Sequence, residues 1–244
     1  MFSKSHIKYI QSLHHKKFRD EEGVFIAEGE KIVKELLSSN LHCKEIVALP
    51  EWFNANEKLV STVTAVLHEV KDFELEKISA LSTANQVLAI FEKKVVEAVT
   101  LTGKITLVLD DIQDPGNMGT IIRIADWFGI TSIICSKNSA DIYSPKVIQS
   151  TMGSIARINI MYDDLQTWLP QNKKVKVYAA ALNGKPVSTL KDTEEAIIII
   201  GNESKGISNE VMELVDEKIT IPRIGNAESL NAAVATGIIL SHII

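Results

Sequence analysis

Residues 197–200 are four consecutive isoleucines, preceded by Ala196 and followed by Gly201-Asn202-Glu203. Side chains branched at Cβ are stiff and favour extended chain, and a run without polar alternation needs apolar cover on both faces. Helices flanking a parallel sheet supply that cover, so the run predicts a central strand of an α/β domain. Polar residues at the carboxyl end of such a strand lie where open α/β sheets bind ligands. The pattern recurs. Ile105 to Leu109 runs into Asp110-Asp111 and a turn-rich Gln113 to Gly119, and Ile219-Thr220-Ile221 runs into Pro222-Arg223.

Ahead of these strands, Ser5 is placed to cap a first helix with Ile7, Ile10 and Phe18 on one side. Val24 to Ala27 reads as a short strand. Glu28 to Ser39 reads as an amphipathic helix burying Ile32, Val33, Leu36 and Leu37. Further strands are expected at Glu45 to Leu49, Thr64 to Val70 and Gln86 to Phe91, with a short helix from Phe73 to Ile78. The charged stretch from Glu92, running to Gly103, separates two units: residues 1–95, a linker at 96–104, and residues 105–244. In the second unit a helix with Ile121, Ile124, Ala125 and Phe128 on one face stops at Gly129. Strands follow at Thr131 to Cys135, Ile155 to Ile160, Val175 to Leu182, Ala196 to Ile200 and Ile219 to Ile221. Strand and helix alternate as a mostly parallel α/β domain requires.

With 244 residues and 45% hydrophobic content, the chain has enough apolar side chains for two modest cores. No apolar run approaches the roughly 18 residues of a membrane span, and no apolar segment follows the charged N-terminus as a secretory signal would require. Cys43 and Cys135 are isolated and without a CxxC partner, so no zinc site and no disulfide scaffold is expected, and a reducing cytoplasm fits. A net charge of −5 excludes a molecule that binds nucleic acid by overall charge. Lys4, Lys8, Lys16, Lys17 and Arg19 nevertheless precede the first acidic residue. They form either a phosphate-binding arm or a solvated helix face. A dinucleotide-binding domain fails on spacing, because Gly116-Asn117-Met118-Gly119 is not GxGxxG, and a P-loop is absent.

Three segments carry a resemblance. They are Leu109-Asp110-Asp111-Ile112-Gln113-Asp114-Pro115-Gly116-Asn117-Met118-Gly119-Thr120-Ile121-Ile122-Arg123, then Ile200-Gly201-Asn202-Glu203-Ser204-Lys205-Gly206-Ile207, then Ile219 through Ser229-Leu230-Asn231 to Ala235. In this order the chain resembles the SpoU (TrmH-like) branch of the SPOUT RNA methyltransferases over nearly its whole length. The resemblance implies S-adenosylmethionine-dependent methyl transfer to a ribose 2'-hydroxyl of RNA, with ribosomal RNA favoured over transfer RNA. It also implies a C-terminal α/β domain with a deep trefoil knot, an exception to the rule against threaded loops. The N-terminal unit then looks like a small L30e-like domain that binds the RNA substrate.

By the same resemblance, Asn117, Arg123, Glu203, Ser229 and Asn231 are the catalytic set. Arg123 is the family's proposed activator of the hydroxyl, yet a guanidinium is a donor that keeps its proton, which favours a phosphate and transition-state clamp. Glu203 is expected to fix Arg123, or simply to sit at a helix N-terminus. Ser229 and Asn231 have capping of the last helix as an alternative or additional role. Cofactor contacts fall to Leu182, Asn183, Gly184, Gly201, Asn202, Gly206, Ile221, Pro222 and Leu230. Ala232-Ala233 departs from the family pattern without removing a proposed catalytic group. The last helix, apolar on most sides, needs cover beyond its own domain, and a homodimer through the C-terminal domain is expected. The competing class is a non-catalytic RNA-binding or ribosome-assembly protein with the same fold; retention of the five polar residues separates the two.

Overall fold

The computed structural model describes residues 2–190 and 193–244. The chain divides into two compact units, Met1–Val95 with Asp141–Ala156, and Val96–Ala140 with Arg157–Ile244.

The first unit opens with α1 (Lys4–Ser12) and α2 (Lys16–Glu22), not with one helix through Phe18. Ser3, not Ser5, caps α1, its hydroxyl accepting from the His6 N–H at 3.1 Å. The break after Ser12 has a physical cause. Leu13 is fully buried at the corner, and Arg19 Nη1 donates to the carbonyls of Leu13 and His14, both at 2.8 Å, satisfying groups freed where α1 ends. Phe18, expected inside, is 39% exposed. Then come β1 (Val24–Glu28), α3 (Glu30–Leu37), β2 (Cys43–Ala48), α4 (Pro50–Ala55), α5 (Glu57–Val60), β3 (Val66–Glu69), α6 (Asp72–Ile78) and β4 (Val87–Glu92). The strands form a mixed sheet in the order β1-β4-β2-β3, with β3 at an edge and only the β2–β3 pair parallel. Ile32, Val33, Leu36 and Leu37 of α3 are buried as the periodicity predicts.

In the second unit, β5 (Ile105–Asp110) leads through a polar turn to α7 (Pro115–Trp127) and β6 (Ser132–Ser136). The next segment, with α8 (Pro145–Thr151), belongs to the first unit, which a single cut near residue 95 does not accommodate. Its attachments are specific: α8 packs on β1, Gln149 Nε2 donates to the Glu28 carbonyl at 2.8 Å, and Asp141 pairs with Arg19 at 2.6 Å. Ser154–Ala156 is a 3-10 turn, so the strand expected at Ile155 to Ile160 begins later. Asn159 N–H bonds to the Thr131 carbonyl at 2.9 Å, and β7 (Asn159–Asp163) follows in register with β6.

After α9 (Leu165–Gln171) come β8 (Val177–Pro186), β9 (Ala196–Gly201), α10 (Asn209–Met212), β10 (Glu217–Thr220) and α11 (Ala232–Ile243). The sheet order is β10-β8-β9-β5-β6-β7 and every pairing is parallel. The isoleucine strand β9 lies between β8 and β5. Ile197 and Ile199 join Val108, Ile134, Val177, Trp168 and Leu169 in one core. Ile198 and Ile200 face the other side, where α11 packs on β9 and α7. All four are buried, each burial contributing about 1.5–3 kcal/mol.

Candidate active site

Parallel pairing places the carboxyl ends of β5 and β9 side by side, Leu109 opposite Ile200 and Asp110 opposite Gly201. Two of the three quoted segments therefore begin at one sheet end. Asp110 is buried, and one of its oxygens accepts from both the backbone N–H and the hydroxyl of Ser208, each at 2.8 Å. Asp111 takes the left-handed conformation (φ 58°), which costs a non-glycine residue on the order of 1 kcal/mol. Two bonds hold it there: its N–H donates to Ser136 Oγ, and its carbonyl accepts from Asn202 Nδ2, both at 2.8 Å. The other end of the Asn202 amide, Oδ1, accepts from the N–H groups of Ser204 and Lys205. Asn202, expected to touch the cofactor, thus has its side chain committed to the loop and to β5.

The loop after β9 folds back on itself through a backbone bridge between Asn202 and Gly206. A Cβ on Gly201 would collide with the backbone of Gly206 and Ile207, which accounts for glycine at that strand end. Gly184 is constrained in the same way by the Lys218 backbone, and Thr220 Oγ1 donates to the Leu182 carbonyl at 3.1 Å. The ends of β8 and β10 are therefore in direct backbone contact.

A relay of amides joins all three segments. Asn231 caps α11, its Oδ1 accepting from the N–H groups of Ala233 and Val234 at 3.0 and 3.2 Å. That fixes Asn231 Nδ2 as the outward donor, and it donates to Asn117 Oδ1 at 2.8 Å. Asn117 is then oriented with its Nδ2 toward Glu203, to which it donates through a short bond. Asn117 is itself anchored in the first turn of α7, where the cap residue Asp114 accepts its N–H at 2.8 Å. A helix cap sets the direction of every amide up to the carboxylate.

Three expectations need correction. Glu203 does not bond Arg123: it takes Asn117, and among the described residues the exposed Arg123 side chain on α7 makes no hydrogen bond or ion pair. Arg123 lies six positions beyond Asn117, about 120° round the helix, which turns them to different sides. Ser229 does not cap α11 either; it is exposed, two residues before the cap Asn231. Leu182 is 65% and Leu230 46% exposed, Asn183 and Pro222 are exposed, and Gly184, Gly201 and Ile221 are half-buried. Lys4, Lys8, Lys16 and Lys17 are all exposed, Lys17 3.9 Å from Glu21. Arg19 is not available to RNA: it is 2% exposed and its guanidinium is held by Asp141 and two carbonyls. Both cysteines are buried, which pushes the Cys43 thiol up to about 12 and Cys135 upward as well, so neither supplies a thiolate. The sequence did not single out Asp114 or the Asp110–Ser208 tie. A proline at the first helical position after an aspartate was the available signal for the former. Among the described residues no helix is long and apolar enough to cross a membrane.

The parallel sheet with polar loops gathered at its carboxyl end defines an α/β protein whose candidate site lies at the carboxyl ends of the central strands β5 and β9. Residues 104–241 match the SpoU rRNA Methylase family, and residues 4–89 match the MRM3-like substrate binding domain. The chain is 32% identical over 240 residues to a 23S rRNA (guanosine(2553)-2'-O)-methyltransferase of Bacillus subtilis, covering 97% of this chain and 95% of that protein. A TrmH-family RNA methyltransferase structure from Porphyromonas gingivalis superposes with TM-score 0.87 at 34% identity, over 100% of this chain and 98% of that one. An AdoMet-bound rRNA methyltransferase from Sinorhizobium meliloti gives 0.88 at 29% identity, over 100% and 95%. The chain belongs to the SpoU rRNA methylase family and is an RNA methyltransferase that uses S-adenosylmethionine.

Proposed function

We propose that this protein transfers a methyl group from S-adenosylmethionine to a ribose 2'-hydroxyl of ribosomal RNA. The observation that carries the reading is the Asn231–Asn117–Glu203 relay, which draws one polar side chain from each of three separated segments to one place. The residues present suit the cofactor: Leu182 and Leu230 offer exposed apolar surface to a base, and Gly184 and Gly201 keep the strand ends close. Leu182, Asn183, Gly184, Gly201, Gly206, Ile221, Pro222 and Leu230 would hold it, with Asn202 shaping the loop. Gly184 and Gly201, where backbones meet without room for a Cβ, support a knotted crossing at this end of the sheet. When bound, the cofactor supplies a methyl group on a sulfonium, poised for displacement by oxygen.

The chain's own part is alignment and charge. Displacement at carbon demands a hydroxyl held in line with the methyl group, and such positioning accounts for a large share of rate enhancement. Arg123, its side chain exposed and unpaired among the described residues, clamps a phosphate of the target nucleotide and offsets charge on the 2'-oxygen as the hydroxyl proton passes to solvent water. Glu203 and Asn231 position Asn117 against the same reacting centre. Ser229 stands beside the Asn231 cap, exposed to substrate.

The first unit serves as the RNA substrate-binding domain, with Lys4, Lys8, Lys16 and Lys17 as its basic arm; residues 96–104 link it to the methyltransferase domain. Val234 on α11 is 51% and Trp127 on α7 85% exposed, on helices that pack together, and this apolar surface supports a homodimer through the C-terminal domain. A cytoplasmic location suits an enzyme acting on ribosomal RNA. The test is a map of 2'-O-methyl positions in total RNA from cells with and without the protein. One ribosomal position should lose its methyl group and regain it with the wild-type chain but not with Arg123→Ala; an unchanged ribosomal map overturns the reading.

A further inference from the structure

Away from the methyltransferase site, three potential metal ligands meet in the first unit. His6 lies on α1, Glu45 on β2 and His68 on the edge strand β3. The parallel register sets Glu45 opposite Val66 and Val47 opposite His68, so Glu45 and His68 project from the same face of the sheet. His6 Nε2 lies 2.7 Å and His68 Nε2 3.3 Å from the same oxygen, Glu45 Oε2, and the three ligand atoms all fall within 4.8 Å of one another.

Of the two rings, only that of His6 is hydrogen-bonded to the shared oxygen. His68 Nε2 is buried and makes no hydrogen bond among the described residues, although it is aimed into the cluster. A buried polar nitrogen left without a partner costs about 1–3 kcal/mol. The surroundings hold the rings in place. Phe2 meets His6 and His68 edge-on, with ring centroids at 5.0 and 5.4 Å, and the two imidazoles are 4.9 Å apart.

We propose that His6, Glu45 and His68 form a binding site for a divalent zinc-class metal ion that fastens α1 to β2 and β3. Two imidazole nitrogens and one carboxylate oxygen are a donor set that zinc takes, at about 2.0–2.2 Å from each ligand. Ligands at tetrahedral angles around such an ion are separated by roughly 3.3 Å, so small side-chain rotations convert the present spacing into coordination. The His6, Glu45 and His68 side chains are 25%, 16% and 27% exposed, which leaves a path for the ion and a fourth position for water. The unpaired nitrogen of His68 gains its partner, and the edge strand gains a tie to the helix that carries Lys4 and Lys8. Because α1 and the sheet edge come from segments 39 residues and more apart, the ion would stabilise the folded unit, by an amount that grows with the logarithm of its free concentration over Kd.

The test uses the untagged full-length protein, freed of metal and titrated with cobalt(II) and then zinc(II). One equivalent of cobalt should bind with the visible ligand-field bands of a low-coordinate nitrogen and oxygen site, and zinc should displace it and raise Tm. His68→Gln and Glu45→Gln should each weaken cobalt binding by more than about 100-fold and remove the zinc-induced rise in Tm. X-ray absorption of the zinc-loaded wild type, which needs no variant to fold, should show two imidazoles, light-atom neighbours otherwise and no sulfur. No stoichiometric binding, binding unchanged in both variants, or sulfur in the coordination shell would overturn the site.

Discussion

The two units use polar residues in opposite ways. In the first, buried charges are consumed. Arg19 is enclosed by Asp141 and two carbonyls, Glu28 accepts from Ser79 Oγ and the Ala80 N–H, and Glu74 accepts from the N–H groups of Phe2 and Lys71. In the second, the buried Asp110 is likewise held by Ser208, but the polar residues beyond it are half-buried or exposed: Asn117 and Glu203 are oriented by neighbours, and the Arg123 side chain is left free among the described residues. The difference suggests a rule for this chain: a polar group that is enclosed on all sides holds the fold, and one that is oriented but left open is a candidate for meeting substrate.

That rule can be broken experimentally. The largest effect is expected at Arg123→Ala, which should lower methyl transfer on the order of 100-fold or more while leaving Tm and cofactor affinity nearly unchanged; parallel loss of cofactor binding would make it a pocket residue instead. Asp141→Ala should do the reverse, destabilising the protein by about 3–5 kcal/mol in denaturant titrations, because Arg19 then stays buried without its counter-charge. Full stability in that variant would place Arg19 outside the set of structural charges. Asn231→Asp keeps the α11 cap but turns an acceptor toward Asn117 Oδ1. The amide of Asn117 should then flip away from Glu203, lowering transfer by about tenfold or more with stability changed by less than about 1 kcal/mol. Neutralising Lys4, Lys8, Lys16 and Lys17 together should weaken RNA binding and flatten its salt dependence, whereas an unaltered salt slope removes the arm from the RNA model.

The smallest effect concerns pH. Backbone N–H donors, that of Lys71 foremost, hold the Glu74 carboxyl below the usual carboxylate range. Its contribution is therefore complete at neutral pH and fades only as pH falls through and below that range. Glu74→Gln should lower the neutral plateau slightly and flatten the acid limb of the stability curve, the two curves converging at low pH.

Much of this contrast was legible in the chain itself, though unevenly. The isoleucine run announced β9 because a strand covered on both faces is a local pattern. The polar segments after β5, β9 and β10 announced a site by resemblance. What the pattern could not show was direction. Whether Glu203 meets Arg123 or Asn117 depends on the angle at which α7 leaves its aspartate cap, and whether Ser229 or Asn231 caps α11 depends on where the preceding loop ends. Arg19 looked like part of a basic arm because its counter-charge, Asp141, is 122 residues away. The His6–Glu45–His68 cluster was equally hidden: no spacing rule joins one helix residue to two neighbouring strands.

The excursion of Asp141–Ala156 has a consequence for how such a protein can be rebuilt. The chain passes between its units three times, after Val95, after Ala140 and after Ala156. A substrate-binding module cut at residue 95 would leave behind the aspartate that neutralises Arg19 and the helix that covers β1. Exchanging modules with a relative to redirect the enzyme to another RNA thus requires transplanting two stretches at once, and a graft that moves only the N-terminal one should express as an unstable hybrid.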